Sequence, residues 1–424
     1  KQSMIASAIF LLALLGVPLF AIIGLCALLS FYNADINAAA IFIELYRVAS
    51  NPTLIAIPLF TFAGFILAHG KTPERLAHLS QSLLGGIPGG IPLTILLACA
   101  FFTALTGASG VTIIALGGLL YPLLIKEKYG ENFSLGLITS SGSLGLLFPP
   151  SLPLILYGLV AQVSIDKLFI AGIVPGLVMI FIVASYAILR GKKIGALSTK
   201  PEFSDVPNAL RKAAWEIPLP LIVLVGIYSG FFTVTEAASV TVVYVILIES
   251  LIYKDLSITK DIPVLMRDSI ILVGSILIIL GTAMGFTSYL IDEQIPMTLL
   301  ETMRQYIDDP LTFLIALNIF LLLVGCMMDI FSAIIVVVPL IIPIAKSFDI
   351  NMVHLGIIFL TNLEIGYSTP PIGINLFIAG TRFGKPVLAL YKAVLPFLGL
   401  RLVGLLLITY VPALSLFLVD WISN

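Results

Sequence analysis

Polar residues in this chain fall in short clusters, and the sequence between them is almost continuously apolar. Residues 5–31, 53–68, 168–189, 270–290 and 403–419 are the clearest apolar runs. A helix rises 1.5 Å per residue, so about 20 such residues cross the hydrocarbon of a bilayer. The runs are continuous rather than alternating at every second position, which excludes a transmembrane β-barrel. At about 20 residues per crossing the chain holds roughly ten to twelve spans, with two pieces that read as re-entrant hairpins. The expected class is an all-α polytopic membrane protein.

Proline and glycine interrupt these runs at matched places. A shift of 221 residues (370 − 149 = 221) lays Pro370-Pro371 on Pro149-Pro150. The same shift lays Pro343 on Pro122, Gly366 on Gly145 and Pro396 on Pro175. Proline removes an amide donor and clashes with the preceding turn, so helices carrying it are broken or kinked there. Broken helices at corresponding positions of two halves are the sequence mark of a transporter's binding site.

The one long polar stretch separates the halves. Residues 1–190 form the expected first repeat, 191–216 a linker and 217–424 the second repeat. Arg190, Lys192, Lys193, Lys200, Arg211 and Lys212 outnumber Glu202, Asp205 and Glu216 in and beside the linker, which places it on the cytoplasmic side. Each half has the same order. A less apolar stretch expected along the membrane surface (33–50, then 253–268) precedes a long apolar hairpin with a small, polar middle (91–126, then 311–346). A broken helix follows (133–165, then 353–380). An odd number of crossings per half makes the repeats inverted, an even number parallel, and the count leaves both open.

Composition narrows the class further. The chain is 59% hydrophobic and 11% charged over 424 residues, with a mean hydropathy of +1.14. That is more apolar surface than a soluble core can hide. The net charge of −1 and the lack of a basic tail argue against nucleic acid as a partner. Cys26, Cys99 and Cys326 stand singly in apolar runs without metal spacing and read as core thiols. The chain opens on Lys1 rather than Met, as expected of a piece of a longer chain. Its first apolar run is too long for a cleavable signal peptide.

Irregular backbone at membrane depth leaves carbonyls and amides without helical partners. Unwound carbonyls with Ser, Thr and Asn oxygens suit a small alkali cation, and half-helix N-termini suit an anion. In the first half Thr106, Gly107 and Ser109 at the hairpin tip are expected to face Ser140, Ser141, Ser143 and Gly145 at the break. In the second, Asp329 and Ser332 are expected to face Asn362, Glu364, Gly366, Ser368 and Thr369. Two pseudo-equivalent, oxygen-rich sites result, although small residues also serve simply to pack helices closely. The halves differ in charge, since Ala108 takes the place of Asp329 and Ser143 that of Glu364. A carboxylate at bilayer depth is functional by default. Asp329 reads as a cation ligand, a proton carrier or the anchor of a helix end, and Glu364 equally as an orienting group for loop amides.

Other candidates resolve to local structure. Thr233 and Glu236 have the spacing of a capping box. His69, His78 and His354 are expected at interfaces or in solvent. Gly64 to Thr72 resembles a phosphate loop, but five residues separate its glycines and it continues an apolar helix. No nucleotide site or catalytic constellation is apparent, so transport must draw on an ion gradient or on another subunit.

Several local motifs point the same way. They are Gly16-Val17-Pro18, Ile57-Pro58-Leu59-Phe60 with Ala63-Gly64, and Thr233 to Ala238. Gly145 to Ser151 (GLLFPPS) and, most specifically, Asn362 to Gly373 (NLEIGYSTPPIG) complete the set. Together they resemble the large membrane subunit of tripartite ATP-independent periplasmic (TRAP) transporters over nearly the whole chain. The tip reads Thr106-Gly107-Ala108-Ser109 where a Ser-Gly-Ser-Ser-like run is more usual, and Val234 stands where proline is common. The resemblance implies inverted repeats, two re-entrant hairpins and an elevator-type moving domain in a bacterial inner membrane. It implies sodium-coupled uptake of an organic acid, of the C4-dicarboxylate or sialic-acid type with sialic acid favoured. The solute arrives from a periplasmic binding protein, and a small membrane subunit braces the large one. By position, the sodium sites are Gly107 and Ser109 with Ser143 and Gly145, and Asp329 with Gly366 and Thr369. Thr106, Ser140, Ser141, Asn362 and Ser368 remain as solute contacts. No cofactor beyond the coupling ions is expected. A self-sufficient sodium/dicarboxylate symporter would share the repeat, the hairpins and the breaks.

Overall fold

The computed structural model describes residues 17–423 except 35, 38, 85–88, 195–204, 305 and 308. Every regular element among them is a helix. Eight are long and apolar enough to cross a membrane, and a ninth crossing results if one bent pair, Glu131–Leu147 with Leu152–Ala161, counts as a single span. The expected count of ten to twelve is higher because helices such as Pro218–Tyr228 and Met352–Gly366 are apolar but shorter. Part of the expected first span, residues 5–16, lies outside the described residues. Phe181, Leu388 and Leu323 are among the large apolar side chains left on the outside, Phe181 at 72% exposure. Such a surface is suited to lipid rather than water.

Helix boundaries follow the same shift as the prolines. Ser109–Lys126 and Ile330–Ser347 correspond at both ends across the 221 residues that also separate Ser143 from Glu364. Glu131–Ser141 and Met352–Gly366 begin in register, and Gly90–Thr106 and Pro310–Met327 agree to within one residue. Leu152–Ala161 and Ile374–Phe383 also agree to within one. Both Pro-Pro bonds, Pro149-Pro150 and Pro370-Pro371, are cis. Pro175 and Pro396 lie inside the two long helices that follow, Ile165–Ile194 and Val387–Tyr410.

Local chemistry explains the hairpin turns. Gly90–Thr106 ends on Gly107, whose φ of +66° lies in the left-handed region that glycine enters without steric strain. A β-carbon there would also fall against the Leu152 side chain. In the second hairpin the chain reverses through extended residues Met328 and Asp329. Asp329 then caps Ile330–Ser347 by accepting from Ser332 N at 3.0 Å.

The two surface stretches turn out differently. Residues 33–50 contain the separate helix Ala39–Ala49, which packs on Asp261–Asp292. Residues 253–268 do not form a counterpart, because turns lead to Asp261, where a 32-residue helix begins. Pro263, which looks like a breaker, sits in the first turn of that helix, where its missing N–H is not needed.

Candidate functional site

The two breaks meet inside the protein. Ser143 Oγ, just past the first half-helix, donates to the carbonyl oxygen of Glu364 at 3.1 Å. Ser368 Oγ, past the second, lies 3.5 Å from the Thr139 carbonyl. Between them enters Arg401 from the middle of Val387–Tyr410. Its Nη2 donates to Glu364 Oε1 at 2.7 Å and to Ser143 Oγ at 3.1 Å, while Nη1 donates to the Ser140 carbonyl at 3.2 Å. Arg401 is 1% exposed and Glu364 fully buried. Burying two charges is tolerable only when each finds its counter-charge and further hydrogen bonds. Close packing puts the arginine there. Gly136 lies against the Ala393 carbonyl, so the helix carrying Arg401 runs directly beside Glu131–Ser141.

Glycines let each break lie on its own hairpin. A β-carbon on Gly145 would fall on the carbonyl oxygen of Ala100 and 2.6 Å from Ala104 N. One on Gly366 would lie 2.6 Å from Gly325 Cα. Ala104 and Gly325 are themselves one repeat shift apart.

The tips attach less symmetrically than their sequences suggest. Ser109 Oγ donates to Asn375 Oδ1 at 2.8 Å, so the first tip is held by a helix of the second half. The Ser109 carbonyl also approaches Gly142 of the first break. Thr106 and Ser140 are buried with hydroxyls that have no hydrogen-bond partner among the described residues. Ser141 Oγ is turned back onto its own helix at the Leu137 carbonyl, 2.6 Å away. At the second tip both Asp329 oxygens engage Ser332, and the Tyr367 hydroxyl accepts from Ile330 N at 2.6 Å, tying tip to break. Thr369 Oγ1 donates to the Ile365 carbonyl at 2.9 Å.

Asn362 points elsewhere, toward Asn318 Oδ1 at 2.7 Å and the Ile358 carbonyl at 2.9 Å. Asn318 continues to Thr409, whose carbonyl lies 3.2 Å from His354 Nε2. His354 is therefore buried, not interfacial as expected, because both ring nitrogens find partners in Thr409 and Ser415. Thr233 and Glu236 do form the capping box. No group of three or more His, Cys, Asp or Glu able to hold a metal occurs among the described residues. A cation here would rest on carbonyls, hydroxyls and single carboxylates.

A second buried charge cluster lies at the end of the helix Val234–Ile246, on the π-helical turn Leu247–Ile252. Arg75 pairs with Glu216, with Glu249 at 2.6 Å and with Asp255, and its guanidinium lies 3.8 Å above the Tyr253 ring. Burial opposes its charge, and the carboxylates of Glu249, Asp255 and Glu216 outweigh that, holding the group above its ordinary pKa. Neither arginine was anticipated. Arg401 had a readable signal, being the one charge in the apolar sequence between Lys392 and Asp420. Arg75 had none, since it stands in an amphipathic stretch.

Comparison with known proteins places this arrangement. The family described as "Tripartite ATP-independent periplasmic transporter, DctM component" matches residues 6–414. The chain belongs to this family. The C4-dicarboxylate TRAP transporter large permease of Pseudomonas aeruginosa is 36% identical over 402 residues, covering 94% of this chain and 93% of that one. Its counterpart in Rhodobacter capsulatus is 33% identical, with 96% of each covered. An isethionate TRAP permease of Oleidesulfovibrio alaskensis, named DctMQ, is 34% identical over 97% of this chain and 65% of its own length. A DctM component is part of a transporter, and this one is a multi-pass membrane protein whose breaks share a single buried polar network.

Proposed function

We propose that this DctM component carries a small carboxylated solute into a bacterial cell across the inner membrane, driven by sodium. The observation that carries the reading is the meeting of the two broken helices, where Ser143, Glu364 and Ser368 join breaks one repeat apart. Carbonyls freed from helical pairing are the natural ligands of an alkali cation, and half-helix N-termini attract an anion. The sodium ligands in this reading are Gly107 and Ser109 with Ser143 and Gly145 at the first break, and Asp329 with Gly366 and Thr369 at the second. Thr106, Ser140, Ser141 and Ser368 face the solute. Asn362, engaged with Asn318, is the weakest member of that set. The halves act as inverted repeats joined by a cytoplasmic linker, and their hairpins and breaks move as one body past the remaining helices, as an elevator. A periplasmic binding protein delivers the solute and a small membrane subunit braces the chain. The names of the relatives favour a C4-dicarboxylate over a sialic acid.

Uptake into proteoliposomes, with and without a sodium gradient, tests this. The chain is reconstituted with its small subunit and binding protein, and labelled dicarboxylate and sialic acid are compared. Uptake should require inward sodium and the binding protein. Sodium-independent uptake would remove the coupling claim, and uptake by the chain alone would favour a self-sufficient symporter.

A further inference from the structure

The first half-helix, Glu131–Ser141, ends in carbonyls that its own backbone leaves open, and three side chains from distant elements cover them. The Thr139 carbonyl is met by Ser368, the Ser140 carbonyl by Arg401 and the Gly142 carbonyl by Thr103 Oγ1 at 2.8 Å. Arg401 is the only charged donor of the three, and the same guanidinium reaches the Ser143 hydroxyl. A cation near a helix C-terminus is favourable, and a guanidinium holds several acceptors in one fixed plane. One repeat earlier stands Ile180, so this device belongs to one half of the duplicated frame. Glu364 cancels the charge, which allows a second cation to approach. A buried ion pair is a poor source of stability, since apolar replacements often match it. Its effect here lies in where it holds oxygen atoms.

We propose that Arg401 is a positioning residue of the coupling-ion site. Held by Glu364, it orients the Ser140 carbonyl and the Ser143 hydroxyl and so sets sodium affinity without touching the ion. This rests on the sodium reading above. Arg401→Lys keeps the charge and loses the fork, so it separates placement from charge balance. In the reconstituted complex it should raise half-saturating sodium about tenfold, as the loss of one charge-assisted hydrogen bond implies. The solute KM at saturating sodium should change much less than half-saturating sodium. The double variant Glu364→Gln with Arg401→Met removes both charges without stranding either, is expected to fold, and should show the same rise. Backbone amide exchange over residues 138–147 should quicken in both variants. A purely structural role would lower expression or the denaturation midpoint and leave half-saturating sodium where it was. The proposal is overturned by half-saturating sodium within about twofold of wild type in both variants, or by unchanged exchange. Should the wild type show no sodium dependence, the coupling reading falls, and amide exchange alone decides the placement.

Discussion

Replacing Gly145 or Gly366 by alanine tests how the breaks are seated. At Gly145 the new carbon meets Ala104 N at 2.6 Å, against the 3.4 Å where ordinary contact begins. The break must therefore retreat by at least 0.8 Å (3.4 − 2.6), and further to clear the still nearer Ala100 carbonyl oxygen. The obstructing atoms belong to the backbone of Gly90–Thr106, so no rotamer change relieves them. Overpacking of this kind costs about 1–3 kcal/mol, and a rigid obstacle puts it near the upper end. Alanine also narrows the unfolded ensemble, which returns about 0.4–1 kcal/mol. The net expectation is a destabilisation of about 2 kcal/mol. Gly366→Ala, set against Gly325, should behave alike. Gly399, inside Val387–Tyr410 with open space around its Cα, is the control. There alanine should be neutral or stabilising by about 0.5–1 kcal/mol. Cys99 and Cys326 are buried free thiols, so a thiol-reactive dye reports unfolding directly on heating. Lower midpoints and reduced uptake at Gly145 and Gly366, with neither at Gly399, is the expected pattern. Equal midpoints for Gly145→Ala and Gly399→Ala would refute the argument.

Three further outcomes are expected. Asp329→Asn keeps a side chain able to cap Ile330–Ser347, so the fold should survive while half-saturating sodium rises about tenfold or more; unchanged sodium dependence would reduce Asp329 to a helix cap. Ser109→Ala combined with Ser143→Ala removes one hydroxyl from each side of the first site, and sodium titration of uptake should show weakened affinity, whereas full affinity would move the site elsewhere. Arg75→Ala strands Glu216 and Glu249, both with fully buried side chains, and should lower stability by about 3–5 kcal/mol in a denaturation assay, with high salt giving little rescue.

Much of this could be read from residue order because proline and glycine act locally. Pro149-Pro150 and Pro370-Pro371 disrupt a helix wherever they occur, and their register carried over to the helix boundaries. What residue order could not convey was which break lies against which. Ser143 is expected to face its own tip, Ser109, and the structure in addition joins it to Glu364. A period within one strand of sequence says nothing of contacts over two hundred residues. His354 looked polar enough to stay outside, but a hydroxyl and a carbonyl satisfied its two ring nitrogens within.

The arginines also bear on how the protein is made. Arg75 leaves the ribosome 174 residues before Glu249, and the Ser140 carbonyl 261 residues before Arg401. At about 5–20 residues per second, the first wait is about 9–35 s and the second about 13–52 s. During that interval the nascent first half carries a guanidinium without its carboxylates and a half-helix without its charged cap. It cannot reach its final packing as a separate unit. Biosynthesis must hold it in an open, lipid-inserted intermediate until the second half arrives. Two half-chains expressed from separate messages should persist in the membrane only when made together.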